Sequence, residues 1–214
     1  MERVTEPELM EDMAEARAYA EADFSEPHSH IMKVFEKKFP GVKIKGNILD
    51  LGCGPGDITF RFARRFPEAH IIGVDGSAAM IGLAEKRKAG EPDAVERITF
   101  VRGRIPGAPI PPRDYGAIVT NSLLHHLPRP MVLWETVVEY AAPGAIIFVA
   151  DLMRPASVDE ARRMVEKYSS EEPEVLKRDF YNSLLAAFSP EEVQEQIREA
   201  GLPELKIKKI SDRH

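Results

Sequence analysis

Five short apolar runs, at 48–51, 71–74, 98–101, 115–120 and 145–150, recur at intervals along the chain. Helix-like stretches at 57–66, 77–89 and 129–141 lie between them. Runs this short and this uniformly apolar suit strands buried on both faces, and the intervening helices make βαβ units. Right-handed crossovers then give an α/β fold with a doubly wound, mostly parallel Rossmann-like sheet. A length of 214 residues fits one domain of this kind.

Residues 1–46 read as an N-terminal helical cover. Segment 7–22 is rich in Ala, Glu and Met, with Pro7 in its first turn. Ser25, followed by Glu26 and Pro27, reads as the N-cap of a second helix that ends near Pro40 and Gly41. The core spans 47–152. A helical insert follows at 153–188, with helix-like stretches at 157–169 and 173–188. Ser189, Pro190 and Glu192 form a capping box, and the helix they open ends at Gly201. Residues 205–210 are strand-like.

Charge sharpens this division. The formal net charge is −6, from 29 Lys and Arg against 35 Asp and Glu. Residues 1–27 hold nine acids and two bases, a balance of −7, which leaves the remainder at +1. The acidity belongs to the cover, which is expected to act as a lid over a site. The acid excess argues against a nucleic-acid partner. The single cysteine, Cys53, excludes an intrachain disulfide and a multi-cysteine zinc site. With no basic, then apolar, leader and no apolar run near ~18 residues, the expectation is a cytoplasmic protein without a membrane span.

The segment ILDLGCGPGD (48–57) carries the most chemistry. A strand ends in Asp50, and three alternating glycines lead into a helix start. Glycines permit a sharp turn and let a ligand approach the main chain, while helix N-terminal amides favour an anion. A dinucleotide fingerprint would need its third glycine at position 57, which is Asp57, a poor neighbour for a pyrophosphate. An amino-acid moiety fits better, with Asp50 serving its ammonium. About 20 residues on, Asp75 ends the next strand, as expected for a carboxylate that accepts from both ribose hydroxyls. Met80, on the following helix, suits packing on an adenine ring.

Together, ILDLGCGPGD (48–57), GVDGSAAM (73–80), YGAIVTNSLLHHLP (115–128) and PGAIIFVADL (143–152) make the chain resemble the class I S-adenosylmethionine-dependent methyltransferases. The resemblance implies a sheet of strand order 3-2-1-4-5-7-6 with strand seven antiparallel. Only four residues follow 205–210, so strand seven is expected to be missing or truncated. Exposed sheet edges invite pairing, which makes a homodimer one candidate for filling the gap. The resemblance further implies that S-adenosyl-L-methionine is the cofactor and S-adenosyl-L-homocysteine the product. It places Gly52, Cys53, Gly54 and Gly56 at the methionine end and Asp75 and Gly76 at the ribose. Gly103, Arg104 and Ile105 would border the adenine, and Asn121 and Ser122 would face the sulfonium.

Methyl transfer from a sulfonium needs alignment, and a base only where the nucleophile starts protonated. His125 and His126 are the candidate catalytic residues, because they follow strand four and histidine titrates near neutrality. The loop from Asn121 lacks the Asn/Asp-Pro-Pro-aromatic pattern of exocyclic-amine methylation, and Cys53 sits in the cofactor loop, away from the role of a C5 nucleophile. Asp151 stands alone after strand five, so no metal is expected. Tyr19, Phe24 and His28 from the cover and Arg154, Arg178 and Tyr181 from the insert are the candidate substrate contacts. Arg178 and Tyr181 share a helix face suited to an anionic small molecule. The leading expectation is a methyltransferase acting on a small molecule. Its rivals are an enzyme that alters the cofactor, as carboxy-S-adenosylmethionine synthase does, and a non-catalytic cofactor-binding module.

Overall fold

Asp12 opens the first helix: its carboxylate accepts from the amides of Ala14 and Glu15, and α1 runs Met13–Glu21. The structure is a computed structural model that describes residues 1–6, 9–91, 96–112 and 114–214, so Pro7 lies outside the described residues. The helix expected from residue 7 is thus shorter at its start. Residues 9–12 are not helical. The Met10 carbonyl accepts from Ser77 Oγ at 2.6 Å, which ties it to a distant part of the chain. Next comes α2 (Ser25–Lys38), where Phe24 holds the N-cap position and Ser25 is the first helical residue. The expected Ser25 cap is replaced by Asp23, whose carboxylate accepts from the Ser25 amide at 2.9 Å.

The core alternates as the periodicity predicts. It runs β1 (Asn47–Leu51), α3 (Asp57–Arg65), β2 (His70–Asp75), α4 (Ala78–Lys88), β3 (Ile98–Arg102) and β4 (Tyr115–Asn121). A 3-10 turn (Leu124–His126), α5 (Met131–Tyr140) and β5 (Ala141–Ala150) follow. The insert forms α6 (Val158–Ser169) and α7 (Glu174–Ala186), and the capping box at Ser189 opens α8 (Pro190–Glu199).

The sheet order is β3-β2-β1-β4-β5, with every neighbouring pair parallel. Successive residues of β1 face opposite layers. Ile48 joins Ile71, Val119 and the rings of Phe35, Phe60, Phe62 and Phe66 on one face. Leu49 and Leu51 join Ile118, Leu133, Trp134 and Ile197 on the other. Trp134 is buried because its Nε1 donates to Gln196 at 3.0 Å, which ties α5 to α8.

One expected strand does not form. Residues 205–210 lie outside any sheet. Leu205 folds back on the α5/α8 cluster, and the amides of Ile210 and Ser211 donate to the His214 carbonyl, so these groups close a local turn instead of a ladder. The outer edge of β5 therefore has no strand partner among the described residues. No helix among the described residues is long and apolar enough to cross a membrane.

Phe35 locks α2 to the sheet, with ring contacts to Phe39, Phe62, Phe66 and Phe148 at 4.9–5.9 Å. Phe35→Ala is expected to cost about 3–5 kcal/mol in a urea-unfolding experiment. A loss under 1 kcal/mol would show that α2 is not part of the cooperative core.

Candidate active site

Strand order reverses between β1 and β4, and in such sheets the crevice beyond the carboxyl ends at that point receives ligands. A cavity of about 660 Å³ opens there. A smaller one of about 250 Å³ lies beside the glycine loop, and Gly52, Gly54 and Asn121 line both.

Gly52 and Gly54 have φ of +70° and +52°, a left-handed conformation that glycine adopts without strain. A Cβ on Gly52 would sit 2.9 Å from Leu123, whereas one on Gly54 would meet nothing within 4 Å. The loop is held by Asp75, whose two carboxylate oxygens accept from Gly54 N at 2.9 Å and Ser77 N at 2.8 Å. Each oxygen keeps a lone pair for a further donor, as a vicinal diol requires. Burial raises the Asp75 pKa against these two bonds. Gly76, Met80, Gly103, Arg104 and Ile105 line the same end of the large cavity.

At the other side of the reversal, Asn121 and Ser122 line the cavity. Ser122 has φ +57°, an unfavourable conformation for a residue with a Cβ and one that often marks functional loops. Buried Asn121 Oδ1 has no hydrogen-bond partner among the described residues, which leaves an acceptor for a ligand's donor.

Some expected contacts fall elsewhere. Asp50 is 1% exposed and accepts from Thr59 Oγ1 at 2.6 Å. It lines only the smaller cavity, as does Cys53. Burial pushes the Asp50 pKa up to about 7, with nearby Asp75 adding and the Thr59 bond opposing. Gly56 lines neither cavity. Its backbone abuts Phe60 and Phe100 at the loop-to-helix turn. Arg154 and Tyr181 also line neither. Arg154 pairs with Glu192 at 2.7 Å, and Tyr181 packs among the α6/α7 apolar residues. Arg178 does line the large cavity, but its guanidinium is 2.6 Å from Glu15, which answers the charge meant for an anion.

Tyr19, Phe24 and His28 do form a wall, with ring centroids 4.8 and 5.5 Å apart in sequence. Burial, with Asp75 and Asp57 adding, pushes the Tyr19 pKa up to about 12. Behind the wall Asp57 meets His28 Nδ1 at 2.6 Å, Arg61 at 2.7 Å and Arg87 at 3.0 Å. The arginines gave no motif in the sequence, since only folding brings three basic groups onto one carboxylate.

His125 and His126 come together at the cavity with ring centroids 4.2 Å apart. Asp151 accepts from His125 Nδ1 at 2.5 Å and from the amides of Leu124 and Leu152 at 2.6 and 2.7 Å. Burial works against its charge, yet the His125 charge and these donors hold its pKa below the usual carboxylate value. Burial likewise disfavours the His125 charge, but Asp151 and Glu6 outweigh it and raise the histidine pKa. Glu6 lies 3.6 Å from His125 Nε2 and 3.1 Å from His126 Nδ1. Sequence reading missed Glu6 because an acid in an acidic segment carries no distinguishing pattern.

Glu6 belongs to a strap rather than to a helix over the site. Val4 N donates to the Leu185 carbonyl, and Arg3 donates to the carbonyls of Ala186, His125 and Leu127 at 2.5, 2.8 and 3.1 Å. The Arg3 guanidinium also stacks 3.9 Å from the Phe188 ring centroid. Leu9 covers Gly76, where an added Cβ would approach it to 2.7 Å.

The fold combines parallel strands, a glycine loop after β1, an acid ending β2 and an open crevice at the reversal. Residues 48–144 match the methyltransferase-domain family. The chain is 31% identical over 110 residues to an uncharacterized methyltransferase of Schizosaccharomyces pombe, covering 50% of this chain and 40% of that one. It is 29% identical over 158 residues to trans-aconitate 2-methyltransferase of Rhizobium meliloti, covering 74% and 52%. It thus spans about half the length of the curated relatives it matches. The fold matches the plantazolicin methyltransferase BpumL solved with SAH, with TM-score 0.66 and 19% identity over 89% of this chain and 69% of that one. It also matches a SAM-dependent methyltransferase of Aquifex aeolicus, with TM-score 0.65 and 18% identity over 89% and 88%.

Loss of the Arg3 anchors should loosen the strap without unfolding the core. Arg3→Ala is expected to speed thermolysin cleavage near Leu9 on the order of tenfold, as removing about 1.4 kcal/mol of local closure would. An unchanged rate would show that the strap is held from elsewhere.

Proposed function

We propose that this chain is an S-adenosylmethionine-dependent methyltransferase acting on a small-molecule acceptor, and that residues 1–214 work as one domain. The observation that carries this is the single cavity running from Gly52, Asp75 and Met80 to His125 and His126. Its lining includes the glycine loop and Asp75 as well as both histidines. A cytoplasmic location is part of the same proposal.

The residues fit the cofactor. The Asp75 oxygens would receive the ribose hydroxyls, and Met80 and Ile105 would flank the adenine. The unpartnered Asn121 oxygen and the open side of Gly54 would face the methionine portion, whose ammonium Asp50 would serve at the smaller cavity. Bound there, S-adenosylmethionine supplies an electrophilic methyl group. The chain's own task is to align the acceptor and to exclude water, which the strap and the Tyr19–Phe24–His28 wall accomplish. Because Asp151 accepts the Nδ1 proton of His125, the Nε2 lone pair is directed toward Glu6 and the cavity, where it can take a proton from the acceptor. His126 borders the same place.

Glu6, Glu172 and Asp179 line the cavity against Arg104 and Arg213, while Arg178 and Glu15 answer each other.

Calorimetry with S-adenosylhomocysteine is expected to give a dissociation constant in the micromolar range, weakened tenfold or more (~1.4 kcal/mol) by Asp75→Ala. No binding to the wild type would overturn the reading.

Asp50 adds a pH test. With a folded-state pKa near 7, it is mostly neutral at pH 6 and mostly charged at pH 8. Affinity for a ligand ammonium should therefore rise across that range in the wild type and flatten in Asp50→Asn. The same raised pKa means that folding stability is fully present below about pH 4 for this group and is lost as pH rises through about 7. Thermal melts of Asp50→Asn should lack that decline, and a parallel decline in the variant would assign it to another group.

A further inference from the structure

We propose that Glu6, His125 and His126 form a binding site for a divalent transition-metal ion, with an open coordination position facing the cavity. Glu6 Oε1, His125 Nε2 and His126 Nδ1 all lie within 4.8 Å of one another. Glu6 Oε1 is 3.6 Å from the first nitrogen and 3.1 Å from the second. A tetrahedral centre with bonds of 2.0–2.1 Å separates its ligand atoms by roughly 3.3 Å, so the Glu6 spacings match one within small side-chain shifts.

The surroundings are those of a metal site rather than of a chance surface cluster. The side chains of His125 and Glu6 are 2% and 9% exposed, and His126 is 30% exposed toward the cavity. Asp151 holds His125 Nδ1 at 2.5 Å, the carboxylate–histidine arrangement that fixes a ring with Nε2 aimed at an ion. The backbone amides of Leu124 and Leu152 hold Asp151 in turn. On the far side Ser183 Oγ donates to Glu6 Oε1 at 3.0 Å and orients that carboxylate. Two imidazoles and one carboxylate form a nitrogen-rich, borderline set that suits zinc and its neighbours, not magnesium or calcium. Three protein ligands leave a fourth position for water or an acceptor heteroatom.

The ligands come from two places in the chain, Glu6 from the strap and both histidines from the turn after β4. An ion there would join the strap to the core; with the His125 Nε2 lone pair on the ion, lowering the pKa of a hydroxyl bound at the open position would replace proton transfer to His125. That last step rests on the methyltransferase reading, whereas metal binding itself does not.

The test uses the full chain and two probes, Zn²⁺ in calorimetry and Co²⁺ in visible absorption. One equivalent is expected to bind with micromolar or tighter affinity, and Co²⁺ should show the d–d bands of a four- or five-coordinate site. Glu6→Gln and His126→Gln should each weaken binding at least tenfold while the metal-free proteins keep the wild-type circular dichroism. His126→Gln, at the most exposed ligand, guards against a folding defect in the strap variant. No stoichiometric uptake, or uptake that both variants leave within twofold of wild type, would overturn the site. Neither readout requires methyl transfer, so failure here and failure of the proposed reaction are distinguishable.

Discussion

The reversal of strand order between β1 and β4 is the constraint on which the rest of the molecule depends. Parallel strands end on a common side, and helices leave that side in opposite directions on either flank of the reversal. The backbone therefore cannot close the space between the glycine loop after β1 and the turn after β4. Everything that touches the cavity is an answer to that gap. Asp75 rigidifies one bank by accepting from Gly54 and Ser77, and Asp151 rigidifies the other by accepting from Leu124, His125 and Leu152.

The two carboxylates do similar mechanical work under different electrostatics. Asp75 meets only backbone amides, and its burial leaves its pKa raised. Asp151 meets a histidine as well, and that charge reverses the direction. The Asp75 end of the cavity is thus met by backbone donors, while the far end holds coupled titratable groups. The strap completes the second arrangement by bringing Glu6 to both imidazoles. Its anchor, Arg3, reaches three carbonyls at once and so fixes the start of the strap.

Much of the core could be read directly. The apolar runs and the helices between them follow from patterning alone, and Gly52, Gly54 and Asp75 of the glycine-loop reading line the cavity at the strand-order reversal. The failures have local causes. Residues 205–210 alternate like a strand, but Leu205 finds burial beside α8 and the following amides find acceptors in a turn. Arg178 and Tyr181 share a helix face that suits an anion and Arg154 lies in the same insert, yet Glu192 and Glu15 pair with the arginines and Tyr181 packs among the α6/α7 apolar residues. Gly56 belongs to the right motif but turns its back on the cavity.

By itself the sequence determined the layered α/β core, the position of the glycine loop and the acidity of the N-terminal segment. These depend on periodicity and on backbone freedom, which are local properties. Tertiary structure alone decided what that acidity does. It set Glu6 against His125 and His126, Glu15 against Arg178, and Asp57 among His28, Arg61 and Arg87. Charge pairing acts through space at a few ångströms, and nothing in the order of residues along the chain encodes which distant partners folding will bring within that range.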